Sequence, residues 1–135
     1  MTDVFTTQER SAVMRNVRGR DTRPEIQVRS LTHGLGYRFR VCRCDLPGKP
    51  DLVFVSRRKV IFVHGCFWHG HRGCVQAERP SSNTDYWHRK LDRNIARDRR
   101  NAAALRRGGW CVLVVWECQT RDKEALARRI RRFLG

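Results

Sequence analysis

The chain has 135 residues and a mass of 15.9 kDa, which suits one compact domain with one modest core. Its 29 Lys and Arg outnumber 13 Asp and Glu, for a net charge of +16, so a polyanionic partner is expected. No apolar run approaches the ~18 residues of a membrane span, and the N-terminal stretch has no apolar segment behind a basic start, which excludes a secretory signal and predicts a cytoplasmic protein. Of the 29 basic residues, 25 are arginine, whose forked guanidinium suits phosphates and base edges.

In chain order, Thr6 to Val17 reads as a helix, with Thr6 and Glu9 at capping-box spacing and Gly19 to end it. A second helix starts at Thr22, with Pro24 in its first turn and Glu25 completing another such box. Its apolar contacts are Ile26, Val28, Leu31 and Leu35, and Gly34 and Gly36 end it. Tyr37, Phe39 and Val41 alternate with Arg38 and Arg40, the pattern of a half-exposed strand. Pro47-Gly48 marks a turn. Leu52–Val55 and Val60–Val63 read as two strands of a meander. Asp85–Arg107 is a long helix. Trp110–Trp116 is nearly continuous apolar sequence, which predicts a strand buried on both faces. Asp122–Leu134 is an amphipathic helix with Ala125, Leu126, Ile130, Phe133 and Leu134 inward. A strand, a long helix and a strand imply a right-handed parallel crossover. The expected fold is an α/β mixed sheet flanked by helices, and the crossover allows Cys66 and Cys118, each just past its strand, to meet.

The segment His64 to Cys74 holds three His and two Cys in eleven residues. Cys66, His71, Cys74 and the distant Cys118 make a tetrahedral Cys3His zinc set, and four protein ligands leave no open position, so such a zinc is structural. Of the other cysteines, Cys111 reads as an inert core thiol, whereas Cys42 and Cys44 form a C-x-C without a second pair. With His71 given to zinc, His64 and His69 are left for acid–base work or simple exposure.

Three carboxylates stand out. Asp51 opens a strand after Pro50 and reads as a turn carboxylate or as a Mg2+ ligand. Glu25 reads as a cap or as a site acid. Asp98 falls on the apolar stripe Trp87, Leu91, Ile95, Ala102, Leu105, where an acid needs a partner: a neighbouring arginine, a histidine or a metal-bound water. Phe67 and Trp68 sit inside the Cys/His loop and Trp87 near the start of the long helix. They suit either base stacking or core packing.

These residues resemble the very short patch repair (Vsr) DNA mismatch endonucleases. The matching stretches are Met14-Arg15, Arg20-Asp21-Thr22 with Pro24-Glu25, Gly36 to Arg40 and Leu46 to Asp51. They continue through Val60 to His69, then Trp87, Lys90, Asn94, Arg97-Asp98, Gly109-Trp110 and Trp116-Glu117-Cys118. The resemblance implies a restriction-endonuclease-like fold with a structural zinc site, residues 1–20 forming a DNA-contacting helical arm of a single 1–135 domain. It implies a nick 5′ to the T of a T:G mismatch left by deamination of 5-methylcytosine. The implied cofactors are catalytic Mg2+ and structural Zn2+. The implied setting is a prokaryotic, nucleoid-associated monomer linked to a cytosine-5 methyltransferase and to mismatch-repair proteins.

Carried over by the resemblance, Asp51 and the Val63 backbone carbonyl bind Mg2+, and Glu25 holds metal-bound water. His69 is the general base, oriented by Asp98, and His64 lies near the scissile phosphate. Phe67, Trp68 and Trp87 form an intercalating wedge. Phe62 and His64 stand where related nucleases carry an acid and a lysine. Val63 replaces a threonine, and Gly73 lengthens the His71-to-Cys74 spacing. The rival readings are a non-catalytic zinc-stabilised DNA-binding module and a Mg2+-dependent nuclease of other specificity.

Overall fold

Helix α1 (Arg23–Gly34) begins at its capping signal: the Thr22 hydroxyl accepts from the Glu25 N–H at 3.4 Å, and Pro24 sits in the first turn. The structure, a computed structural model, describes residues 22–135. The helix expected over Thr6–Val17 and the 1–20 arm lie outside the described residues. Strands β1 (Leu52–Phe54) and β2 (Lys59–His64) pair antiparallel, with Leu52 opposite Ile61. Helix α2 (Thr84–Arg107) then crosses over to β3 (Cys111–Trp116). β3 pairs parallel with β2 along its whole length, from Lys59 opposite Cys111 to His64 opposite Trp116. Helix α3 (Lys123–Leu134) closes the chain, capped by the Asp122 carboxylate on the Ala125 N–H at 3.1 Å.

The two-residue side-chain period of the strands divides the core into two layers. Leu52, Phe54, Ile61, Val63 and Val115 face one side, against Val28 of α1 and Leu126, Ile130 and Leu134 of α3. Val53, Val60 and Phe62 face the other, against Leu105 of α2 and Trp110. The result is a three-stranded mixed sheet, order β1-β2-β3, with helices on both faces.

Four expectations change. The strand over Tyr37–Val41 is a single bridge, Arg40 to Val53, because β1 is only three residues long. β3 is not buried on both faces: Val115 is buried, Val112, Leu113 and Val114 are half-buried, and Cys111 is exposed rather than a core thiol. The cause is position, since β3 is the outer strand among those described. Ile26 is 51% exposed, turned away from the layer that Val28 enters. Val55 lies past the end of β1 and is also exposed.

The loop after β2 is tied to α2 by shape. Gly70 has φ +64°, and a Cβ there would stand 2.5 Å from the Cδ1 of Ile95. Gly70→Ala therefore combines a left-handed backbone with a steric overlap and should lower stability by ~1–3 kcal/mol in urea denaturation. Adding Ile95→Val, which removes Cδ1, should relieve the closest overlap, leaving the backbone share and the milder contact with Cγ1 at 3.0 Å. Full additivity of the two substitutions would show that the loop does not press on the helix.

Candidate active site and metal centre

One open cleft of about 1590 Å³ runs across the C-terminal ends of β2 and β3. It is lined by Glu25, Asp51, His64, His69 and Asp98 together with Phe67 and Trp68. Cationic walls come from Arg23, Lys49, Arg72, Arg97, Arg99 and Arg106.

Asp51 stands just ahead of β1, its N–H donating to the Ile61 carbonyl at 3.0 Å and its Oδ2 accepting from the Val63 N–H at 2.6 Å. A strand residue directs its N–H and C=O to the same edge, so the Val63 carbonyl also leaves β2 on the Asp51 side, where pairing with β1 has ended. Glu25 is 7% exposed and accepts from Arg29 at 3.0 Å. Burial pushes the Asp51 carboxyl up to about 7, against the Val63 hydrogen bond that lowers it and with the Glu25 charge adding to the rise. Two acids and a backbone carbonyl crowded at one edge form an oxygen donor set that fits a hard dication.

His64 ends β2 and His69 follows within the loop. Their rings stack at 3.9 Å with a 7° tilt. His69 Nδ1 lies 2.7 Å from Asp98 Oδ2, so the acid on the helix stripe has its partner, and that partner is a histidine. Burial pulls the His64 imidazole down to about 3, helped by neighbouring His69 and opposed by Asp98, so His64 is neutral at physiological pH.

Cys66, His71, Cys74 and Cys118 place their donor atoms within 4.8 Å of one another. The loop is wound tightly enough for this because the His71 N–H donates to the Cys66 carbonyl at 2.9 Å and the Cys74 N–H to the His71 carbonyl at 3.3 Å. Between them Gly73 turns the chain with φ +74° and open space at its Cβ position. Cys118 arrives from the 3-10 turn Glu117–Arg121 after β3, its sulfur 3.5 Å from His71 Nδ1. Burial pushes the Cys66 thiol up to about 12, against the Cys118 backbone N–H. Clustered sulfurs with a histidine are the donor set of a soft-tolerant tetrahedral ion, whose charge would reverse that shift. Cys42 and Cys44 are exposed and stand outside this cluster.

Phe67, Trp68 and Trp87 converge, with ring centroids 5.1 to 6.0 Å apart. Two further contacts carry no sequence signal beyond residue type. Tyr86, 52% exposed, extends the aromatic cluster at 5.2 Å from Trp87. Asn94 donates to the Trp68 carbonyl at 3.2 Å and so holds the loop against α2. Trp116 was visible only as part of a motif; its indole stacks on His71 at 4.3 Å and meets His64 edge-on at 5.3 Å.

The family model described as DNA mismatch endonuclease Vsr matches residues 2–76. The chain belongs to the Vsr family. It is 54% identical over 134 residues to the type II nicking enzyme V.XorIIP of Xanthomonas oryzae pv. oryzae, which covers 99% of this chain and 98% of that protein. It is 41% identical over 134 residues to the type II nicking enzyme V.NmeAIP of Neisseria meningitidis, covering 99% and 95%. It is 45% identical over 126 residues to the DNA mismatch endonuclease Vsr of Escherichia coli K12, covering 93% and 80%. This Vsr family member is a DNA endonuclease of the mismatch-repair class. Among its described residues, no helix is long and apolar enough to cross a membrane.

The raised Asp51 carboxyl makes a stability prediction. With its folded value near 7 and an ordinary value of 3.8, the group favours the fold when protonated. That contribution is complete below about pH 4 and lost as pH rises through about 7. Asp51→Asn keeps an oxygen for the Val63 N–H and cannot ionise. Without added divalent cation it should be more stable than the parent by ~1–3 kcal/mol at pH 8. The two should converge near pH 4 in urea melts; a constant difference across pH would show that Asp51 ionisation is not the cause.

Proposed function

We propose that the protein is a Mg2+-dependent, strand-specific endonuclease with a restriction-endonuclease-like fold, nicking 5′ to the T of a T:G mismatch. The observation that carries this reading is the meeting of an acid edge, a histidine–carboxylate pair and the aromatic pair Phe67 and Trp68 in one cation-walled cleft. A DNA-binding module alone has no use for a histidine oriented by a carboxylate. Asp51, with the Val63 carbonyl and Glu25, holds Mg2+, which when bound supplies positive charge to the phosphate undergoing attack. His69 takes a proton from the attacking water through Nε2. Asp98 fixes the ring by accepting from Nδ1 and stabilises the imidazolium that forms. His64, neutral and stacked on His69, flanks the scissile phosphate and limits the motion of the base.

Phe67, Trp68 and Trp87 enter the stack beside the mismatch. A T:G pair opens at lower cost than a matched pair, so a wedge converts weak pairing into selectivity. Cys66, His71, Cys74 and Cys118 hold structural Zn2+ and fasten the loop that carries both His69 and the wedge. The substrate fits a product of 5-methylcytosine deamination, which ties the enzyme to a cytosine-5 methyltransferase.

The test uses duplexes carrying T:G or T:A in varied flanking sequence, with Mg2+, and maps the cut. A nick 5′ to the mismatched T in one strand is expected. His69→Ala should lower its rate ~10²–10⁴-fold while binding persists. Asp98→Asn should be milder. Equal cutting of matched duplex would overturn the specificity, and near-parental nicking by His69→Ala would overturn the base.

Purified protein should retain one zinc per chain by elemental analysis. Cys118→Ala should lose it, together with ~2 kcal/mol or more of stability, because the ligand joins β3 to the loop. Metal-free protein of unchanged melting temperature would remove the structural role.

A further inference from the structure

The His64, His69 and Asp98 cluster has a second chemical character. Its three donor atoms lie within 4.8 Å of one another, as closely grouped as those of the Cys66 cluster. Two imidazoles, which are borderline donors, with one carboxylate suit zinc-class ions, whereas Mg2+ prefers an all-oxygen set such as the Asp51 edge. The two imidazoles stack face to face at 3.9 Å, which brings their ring nitrogens close while their lone pairs lie in parallel planes. His69 and Asp98 are 30% and 25% exposed and line the open cleft, so an ion reaches them without unfolding.

We infer that His64, His69 and Asp98 form a second, reversible site for a zinc-class dication, and that filling it shuts off nicking. Occupation requires that the His69 ring proton sit on Nε2 and that the ring turn out of its stack on His64, so that both imidazole planes meet at the ion. The Nδ1 lone pair and the Asp98 Oδ2, now 2.7 Å apart, then both face the ion. Water or a substrate phosphate completes the coordination. The ion takes the histidine that the reaction needs as a base, so the inhibition half of this inference rests on the function proposed above. The binding half does not.

The thiolate cluster outcompetes an imidazole–carboxylate set for zinc. The first equivalent therefore stabilises the protein and the second inhibits it. The test starts from full-length protein carrying its one retained zinc. Zn2+ is added in equilibrium dialysis and, separately, to a nicking assay at saturating Mg2+. A second equivalent should bind, and nicking should fall in step with its binding. His64→Gln and Asp98→Asn should each weaken the second equivalent by ~10-fold or more while keeping the first. Asp51→Asn should leave it within ~3-fold, since that carboxylate belongs to the other donor set. Absence of a second bound equivalent overturns the inference. So does its loss in Asp51→Asn with retention in His64→Gln, which would place the ion at the Mg2+ position. A second zinc bound as described in a protein that never nicks T:G duplex with Mg2+ alone would keep the site and reject the proposed function instead.

Discussion

The chemistry of this molecule hangs on the parallel pairing of β2 with β3. Both strands point their C-terminal ends to one edge, so the segments that follow them, beginning at Gly65 and at Glu117, leave side by side. Residues 52 positions apart in sequence, Cys66 and Cys118, thereby share one cluster. The 24-residue helix α2 is the crossover that makes parallel pairing possible, and it returns along the same face to deliver Asp98 to His69 and Asn94 to the Trp68 carbonyl. An antiparallel β3 would send the second segment to the far edge and take Cys118 out of the thiol cluster.

Electrostatics work at two scales. Over the whole surface, a net charge of +16 favours a polyanion and draws it toward the cleft. Within the cleft, burial disfavours ionisation of the Asp51 carboxyl and raises it. Arginines line the walls, but at the Asp51 edge the nearest one, Arg29, is paired with Glu25, and burial outweighs its charge. A long-range field of one sign thus surrounds a short-range deficit of the same sign, an arrangement that welcomes a small dication and a phosphate together.

Much of this is legible in the sequence. Five Cys and His in eleven residues exceed what a core or a surface needs, and the parallel crossover follows from element order alone. Asp98 announces itself by breaking an apolar stripe, and its partner is the histidine rather than the crowding arginines. Other features are not legible because they depend on how many strands flank a segment. The run Trp110–Trp116 has the composition of a central strand, yet β3 is outermost among the described strands and leaves Cys111 in solvent. Tyr37–Val41 alternates like a strand, but β1 is too short to give it more than one bridge. The double contact of Trp116 with His71 and His64 joins three residues that no periodicity relates.

The loop from Gly65 to Cys74 answers to three neighbours at once. It meets Ile95 through Gly70, Asp98 through His69, and Cys118 through His71. Residues between Cys66 and His71 are consequently locked in number as well as in kind. An added residue there would rotate every later side chain out of register with at least one neighbour. Gly73 is the exception, with a left-handed backbone and free space around it. Added length is thus accommodated most readily between His71 and Cys74, where Gly73 has open space beside it.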